Sequence, residues 1–198
     1  MDSTVCLYEA VASGYDTVSL GVDYGQKHLI ELYFAQRQCD AKAIRREIVH
    51  VNWTKPERTL PLERGVDEIR KTVSSAFLPG RNLLFLALAS AHAAGIGADE
   101  VWTGINSVDF SGYPDCTPAF LEAYSAVHRI GVGAGAVCAP LLGKSKPQIA
   151  MRAMELGLSR YDTWSCYRPQ IVSDAVVPCG KCDACRLHAY AWDQIKQK

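Results

Sequence analysis

Four cysteines near the C-terminus have a spacing that can hold a metal ion. They are Cys166, Cys179, Cys182 and Cys185, in the pattern C-x12-C-x2-C-x2-C. A C-x-x-C turn brings two thiolates within reach of one ion. A third cysteine at the same spacing and a fourth from upstream complete a tetrahedron, and Zn²⁺ is the usual occupant of an all-sulfur site. The ion lowers thiol pKa, so its ligands bind as thiolates. Disulfide pairing is poor geometry for three cysteines so close together. An iron–sulfur cluster shares the C-x2-C-x2-C run, and spacing alone leaves it open.

The elements that must position such chemistry alternate. Ser3 to Ser13 reads as a helix with Leu7, Ala10 and Val11 on one face. Thr17 to Val22 reads as a buried strand, and Asp23-Tyr24-Gly25-Gln26 as a polar turn at its end. A helix from Lys27 to Ala41 (Leu29, Leu32 and Tyr33 inward) and a strand from Glu47 to Val51 follow. Prolines 56, 61 and 79 break the rhythm between Asn52 and Gly80. Arg81 to Ala94 is apolar nearly all round and predicts a buried helix. Glu100 to Ile105 and Ala136 to Ala139 predict strands. Pro118 to Ile130, with Phe120, Tyr124 and Val127 inward, and Ser145 to Leu156 predict helices, and the tail from Arg186 to Lys198 is helical. This order predicts an α/β fold, a doubly wound parallel sheet with a small C-terminal zinc-binding lobe. The expected boundary puts residues 1–160 in the α/β domain and 161–198 in the lobe.

Composition removes several classes. The chain has 198 residues, 48% apolar and 21% charged, as an ordinary globular protein has. Lys plus Arg and Asp plus Glu each number 21, which argues against a general nucleic-acid binder. Eight cysteines, four of them scattered, do not form a secreted disulfide framework. The apolar run from Leu83 to Ala94 is too short to span a bilayer. No membrane association is expected, and the compartment implied by free thiols is the cytoplasm.

Several blocks occur together in one order: Asp2-Ser3-Thr4, Val22 to Gln26, Pro79-Gly80-Arg81-Asn82, Gly104 to Cys116, Pro140-Leu141-Leu142 with Ser145-Lys146, Thr163 to Tyr167 and the final cysteines. Across essentially the whole chain this resembles the 7-cyano-7-deazaguanine synthase family of N-type ATP pyrophosphatases, with an adenine-nucleotide alpha-hydrolase-like fold. The resemblance implies a ligase that turns 7-carboxy-7-deazaguanine and ammonia into the nitrile with ATP, through adenylated intermediates. It implies one Zn²⁺ per chain and Mg²⁺ with ATP, and a homodimer is the expected assembly. The family's first strand ends in a Ser-Gly-Gly-x-Asp-Ser loop, of which Met1-Asp2-Ser3 matches only the end. The expectation is a start further upstream, the rival being a truncation without activity. Two other readings compete: a related ATP pyrophosphatase with another acceptor, and an inactive zinc-binding homologue.

The resemblance also implies roles. Asp2, Ser3 and Thr4 lie at the pyrophosphate and metal end, where a plain helix N-cap is the simpler reading. Asp23, Tyr24 and Gln26 meet the nucleotide, or form a common polar turn. Arg81 and Asn82 hold phosphate or carboxylate, or satisfy a helix start. Lys146 meets phosphate as a point charge, with Lys144 nearby, or is one of a solvated pair. Asp2, Ser3 and Lys146 are the expected catalytic set. Asp109 or Asp115 accepts from the N–H donors of a guanine-like edge, and Phe110 or Tyr113 stacks on the ring; the simpler reading is a tight turn closed by Asp. Cys116 is expected to be an inert thiol, and His28, His50, His92 and His128 to be structural.

Overall fold

A computed structural model of the chain describes residues 1–26, 29–53, 62–71, 73, 77–106, 113–133 and 135–195. Four of the described strands form two parallel pairs. β1 (Val18–Asp23) and β2 (Arg45–His50) are in register from Val18 opposite Arg45 to Asp23 opposite His50, with α2 (Ile30–Ala41) as the crossover. β3 (Glu100–Trp102) and β4 (Ala136–Cys138) pair Glu100 with Ala136, with α5 (Pro118–Val132) between them. Parallel strands joined through helices give the α/β class. Among the described residues the two pairs share no ladder. Residues of β1 and β3 line one cavity of about 920 Å³.

The main core forms where α1 (Asp2–Ala12), α6 (Lys146–Glu155) and α7 (Asp183–Ile195) meet. Val5, Leu141, Ile149, Ala150, Ala153 and Ala191 are fully buried there, with Trp192 beside them. Small residues on α6 let the helices approach closely. A second cluster joins Leu86 of α4 (Arg81–Ile96) to Ile105 and Tyr124.

Three helix faces differ from expectation. On α2, Leu29 and Tyr33 are about half exposed, while Gln38 and Cys39 are buried. Gln38 is held inside because Tyr8 donates to it and it donates to the Asp162 carbonyl, each at 2.7 Å. On α5 the buried pair is Tyr124 and His128, and Val127 faces out, because the Ser90 hydroxyl within α4 bonds both ring groups at 2.8–2.9 Å. Helix α4 buries only Leu86, Ser90 and Ala93. Part of the remainder lines the cavity. The proline-broken stretch contains a short helix, α3 (Val66–Lys71), and the C-terminal region a hairpin of β5 (Gln170–Val172) and β6 (Ala175–Val177).

Candidate functional site

The chain ends of β3, α1 and α6 build the charged end of the cavity. Asp2, Ser3, Thr4, Gly104 and Lys146 all line it. Ser145 caps α6 through a capping box with Gln148, which places Lys146 in the first turn. Its side chain is buried and forms an ion pair with Asp2. Asp2 makes no side-chain cap to α1, so the N-cap reading does not describe it. Burial is the largest single influence and pushes the Asp2 carboxyl up, but Lys146 and the N-terminal ammonium together outweigh it, and the carboxyl lies below its ordinary value. Asn106 ties the exit of β3 to the turn before α6, donating to the carbonyls of Leu141 at 3.1 Å and of Lys144. Gly104 is where the backbones touch: a Cβ there would lie 2.7 Å from the Ser3 nitrogen and 2.8 Å from the Asp2 carbonyl carbon. His188 also lines this end. It accepts from Trp192 at 3.1 Å, and burial pushes it down to about 4, so the ring is neutral.

The other rim is aromatic. Tyr24, Arg81, Asn82, Tyr113, Cys116 and Tyr167 line the same cavity. Tyr24 packs on Phe85 at 5.3 Å and Trp53 at 6.3 Å, and Tyr113 packs on Phe77 at 5.1 Å. Asn82 donates to the Asp115 carbonyl at 3.2 Å and the Cys116 sulfur at 3.4 Å, fixing the start of α4 to the turn after Tyr113. Burial and the neighbouring Asp115 carboxylate push the Cys116 thiol up to about 12, which makes it a poor nucleophile.

Not every expected residue joins the cavity. Asp23 does not line it; its carboxylate accepts from the Gly25 N–H at 3.0 Å and lies 3.2 Å from His50 Nδ1. Gln26 is buried behind the rim, accepting from the Tyr24 N–H at 2.9 Å and donating to Glu31 at 3.1 Å. Both shape the turn that presents Tyr24. Asp115 is buried next to Cys116 but does not face the cavity. Asp109 and Phe110 lie outside the described residues. Gly104, Asn106, Tyr167 and His188 were missed by sequence reasoning. A glycine inside the predicted Glu100–Ile105 strand was the available signal for the first; the others carry none.

The second site is the cysteine cluster. The sulfurs of Cys166, Cys179, Cys182 and Cys185 all lie within 4.8 Å of one another, and none is in a disulfide. Four thiolates on one tetrahedral ion at about 2.3 Å sit about 3.8 Å apart, so the donor set fits a single ion. Backbone N–H groups of Arg168 and Cys179 donate to the Cys166 sulfur at 3.3 and 3.2 Å, and that of Cys182 to Cys179 at 3.4 Å. Hydrogen bonds from Cys166 and Cys185 hold the Cys182 thiol well below its usual range, while Cys166 is pushed up to about 11. Ionising all four therefore calls for a bound cation. Arg64 braces the cluster, gripping Asp183 through two bonds of 3.1 and 2.5 Å.

A family model described as queuosine biosynthesis protein QueC matches residues 1–196. The chain belongs to the QueC family. It is 56% identical over 197 residues to 7-cyano-7-deazaguanine synthase 2 of Rhodopseudomonas palustris, covering 99% of this chain and 94% of that protein. It is 34% identical to the 7-cyano-7-deazaguanine synthase of Cyanothece over 98% of this chain and 92% of that one. The figure for the Leptospira interrogans protein of the same name is 36%, over 94% and 80%. This family fits an adenine-nucleotide alpha-hydrolase-like fold, as the parallel βαβ units do. No described helix is long and apolar enough to cross a membrane.

Proposed function

We propose that this chain converts 7-carboxy-7-deazaguanine, ammonia and ATP into 7-cyano-7-deazaguanine in the cavity between α1, α4 and β3. The observation that carries this reading is one cavity with two unlike ends: a buried lysine–aspartate pair beside a helix start, and a wall of tyrosines around an arginine. Triphosphate suits the first end and a flat aromatic acid the second.

A carboxylate resists nucleophiles because it is already negative. Its oxygen attacks the α-phosphorus of ATP, the bond to the β-phosphate oxygen breaks, and pyrophosphate leaves. Ammonia then adds to the acyl carbon, loses a proton and expels AMP, giving the amide. The amide oxygen is adenylated in turn. Loss of AMP with the remaining N–H protons leaves the nitrile. Lys146 is the charge at hand for the departing pyrophosphate. The Asp2 carboxylate and Ser3 hydroxyl are the oxygen donors that would hold Mg²⁺ with ATP, which supplies charge neutralisation on the phosphates. Gly104 allows α1 to sit against β3, so these donors reach the cavity.

In this reading Zn²⁺ occupies the cysteine cluster as a structural ion and shapes residues 161–198. The sulfur spacing favours it over an iron–sulfur cluster, which spreads its ligands over several irons. The enzyme works in the cytoplasm, as a homodimer, with ammonia as the nitrogen donor. The test is to incubate the purified protein with ATP, Mg²⁺, ammonium and the acid, and to follow products by mass. Nitrile formation that requires all of them is expected; no nitrile from protein with intact zinc would refute the reading.

A further inference from the structure

Arg81 is a cavity residue whose charge meets no carboxylate among the described residues. It lines the cavity, half-buried, in the first turn of α4. Lys146 across the cavity has Asp2. Among the described residues Arg81 has no carboxylate partner. Its neighbours are the neutral phenols of Tyr24, which is hydrogen-bonded to it, Tyr167 and Tyr113. Burying a cation without a counter-charge is costly, and here the cost is met at a cavity wall, where a ligand can supply the missing charge. The surroundings are stiff. Tyr24 is pinned by Phe85, Tyr113 by Phe77, and Asn82 fastens the helix start to the turn that follows Tyr113.

We propose that Arg81 recognises the carboxylate of the substrate, taking its two oxygens in the planar fork of the guanidinium while the tyrosine rings hold the heterocycle. This rests on the reaction proposed above and narrows the sequence expectation that Arg81 holds phosphate or carboxylate. Two features favour a carboxylate over phosphate. One uncompensated positive charge matches one carboxylate, and a guanidinium fork matches its geometry. The aromatic walls suit a flat ring, whereas the triphosphate has Lys146 and the start of α1. The Cys116 thiol feels the positive charge of both Arg81 and Lys146, so the two cations converge on one region of the cavity. There an acid held by Arg81 would meet a phosphate held by Lys146.

The consequence is specific to the two-step chemistry. The acid carries the carboxylate, but the amide intermediate is neutral. Arg81 therefore selects for the first half-reaction and contributes little to the second. The experiment compares the wild type with Arg81→Met and Arg81→Lys on two substrates, the 7-carboxy and the 7-carboxamido compounds, reading nitrile by mass. In Arg81→Met, kcat/KM for the acid should fall about 100-fold or more, against less than about 10-fold for the carboxamide. The KM for ATP should stay within about 3-fold, and Arg81→Lys should recover part of the loss on the acid only. Equal losses on acid and carboxamide, or a raised KM for ATP with both, would overturn the assignment and place Arg81 on phosphate or in the scaffold. A wild type that converts neither compound would instead count against the reaction itself. Should the variants misfold, labelling of Arg81 by phenylglyoxal in the wild type decides. Protection by the acid and not by the carboxamide supports the proposal; equal protection by both overturns it.

Discussion

Replacing Lys146 with Met tests the charged end of the site and its coupling to the fold. Lys146 is 5% exposed and the Asp2 side chain 25% exposed. Removing one partner of a fully buried pair costs about 3–5 kcal/mol. The partial exposure of Asp2 lowers this to about 2 kcal/mol, since the stranded carboxylate is partly hydrated. For a chain of this length that is a fall in Tm of about 4–8 °C. The pH dependence should also change sign. In the wild type burial raises the Asp2 carboxyl but Lys146 and the N-terminal ammonium together outweigh it, so the folded value is depressed. The stability from this group is fully present above the ordinary carboxylate value of about 3.9 and is lost as pH falls through the folded value. In Lys146→Met burial, already the largest single influence, loses its main opponent and the folded value rises. Stability present below about pH 3.9 is then lost as pH rises through that higher value. The melting gap between the two proteins should widen from about pH 3 to pH 6. Asp2→Asn added to Lys146→Met should cost less than Asp2→Asn alone. Acid-dependent AMP release should fall at least about 100-fold. The assays are calorimetry across pH and single-turnover adenylation. A variant whose melting tracks the wild type at every pH, and which adenylates the acid normally, would refute the reasoning.

Chelation should release one Zn²⁺ per chain by metal analysis and lower Tm, because the site's four ligands come from the two flanks of the β5–β6 hairpin, the residue before α7 and α7 itself; unchanged melting after complete removal would contradict this. Gly104→Ala forces a Cβ to within 2.7–2.9 Å of the backbone of Asp2 and Ser3, so α1 must move. A loss of about 2 kcal/mol in a denaturant midpoint, with a larger fractional loss of turnover, is expected. Cys116, pushed up to about 12, should react with iodoacetamide at pH 8 far more slowly than a free thiol, and Cys116→Ser should keep turnover within about 3-fold of wild type.

The parts of the fold legible in the sequence were those with strong local signals. β1, β2 and the long helices followed from apolar period, and the helix read from Ser145 to Leu156 put Lys146 near its start. The faces of α2 and α5 were misread because Gln38 and His128, polar by type, are drawn inside by specific hydrogen bonds that periodicity does not register. The β5–β6 hairpin turns on Ser173 and Asp174, both with positive φ (48° and 64°). A two-residue turn of this kind usually announces itself with Asn-Gly, which is missing here. Helix α3 was hidden by the prolines around it. In the site, the cysteines were legible because C-x-x-C spacing is itself geometry. Tyr24 and Tyr113 both line the cavity. Asp23 and Gln26 share Tyr24's stretch of sequence but spend their polar atoms inside the turn, a distinction that only the direction of each side chain reveals. The pairing of Asp2 with Lys146 spans almost the whole chain, and only the fold brings the two together.

The most direct measurement is the yield of AMP against nitrile, with and without the 7-carboxy acid, at saturating ammonium and Mg²⁺. One adenylation for the amide and one for the nitrile predict about two AMP per nitrile, and none above background without the acid. AMP release indifferent to the acid, or nitrile formed without AMP, would contradict the account.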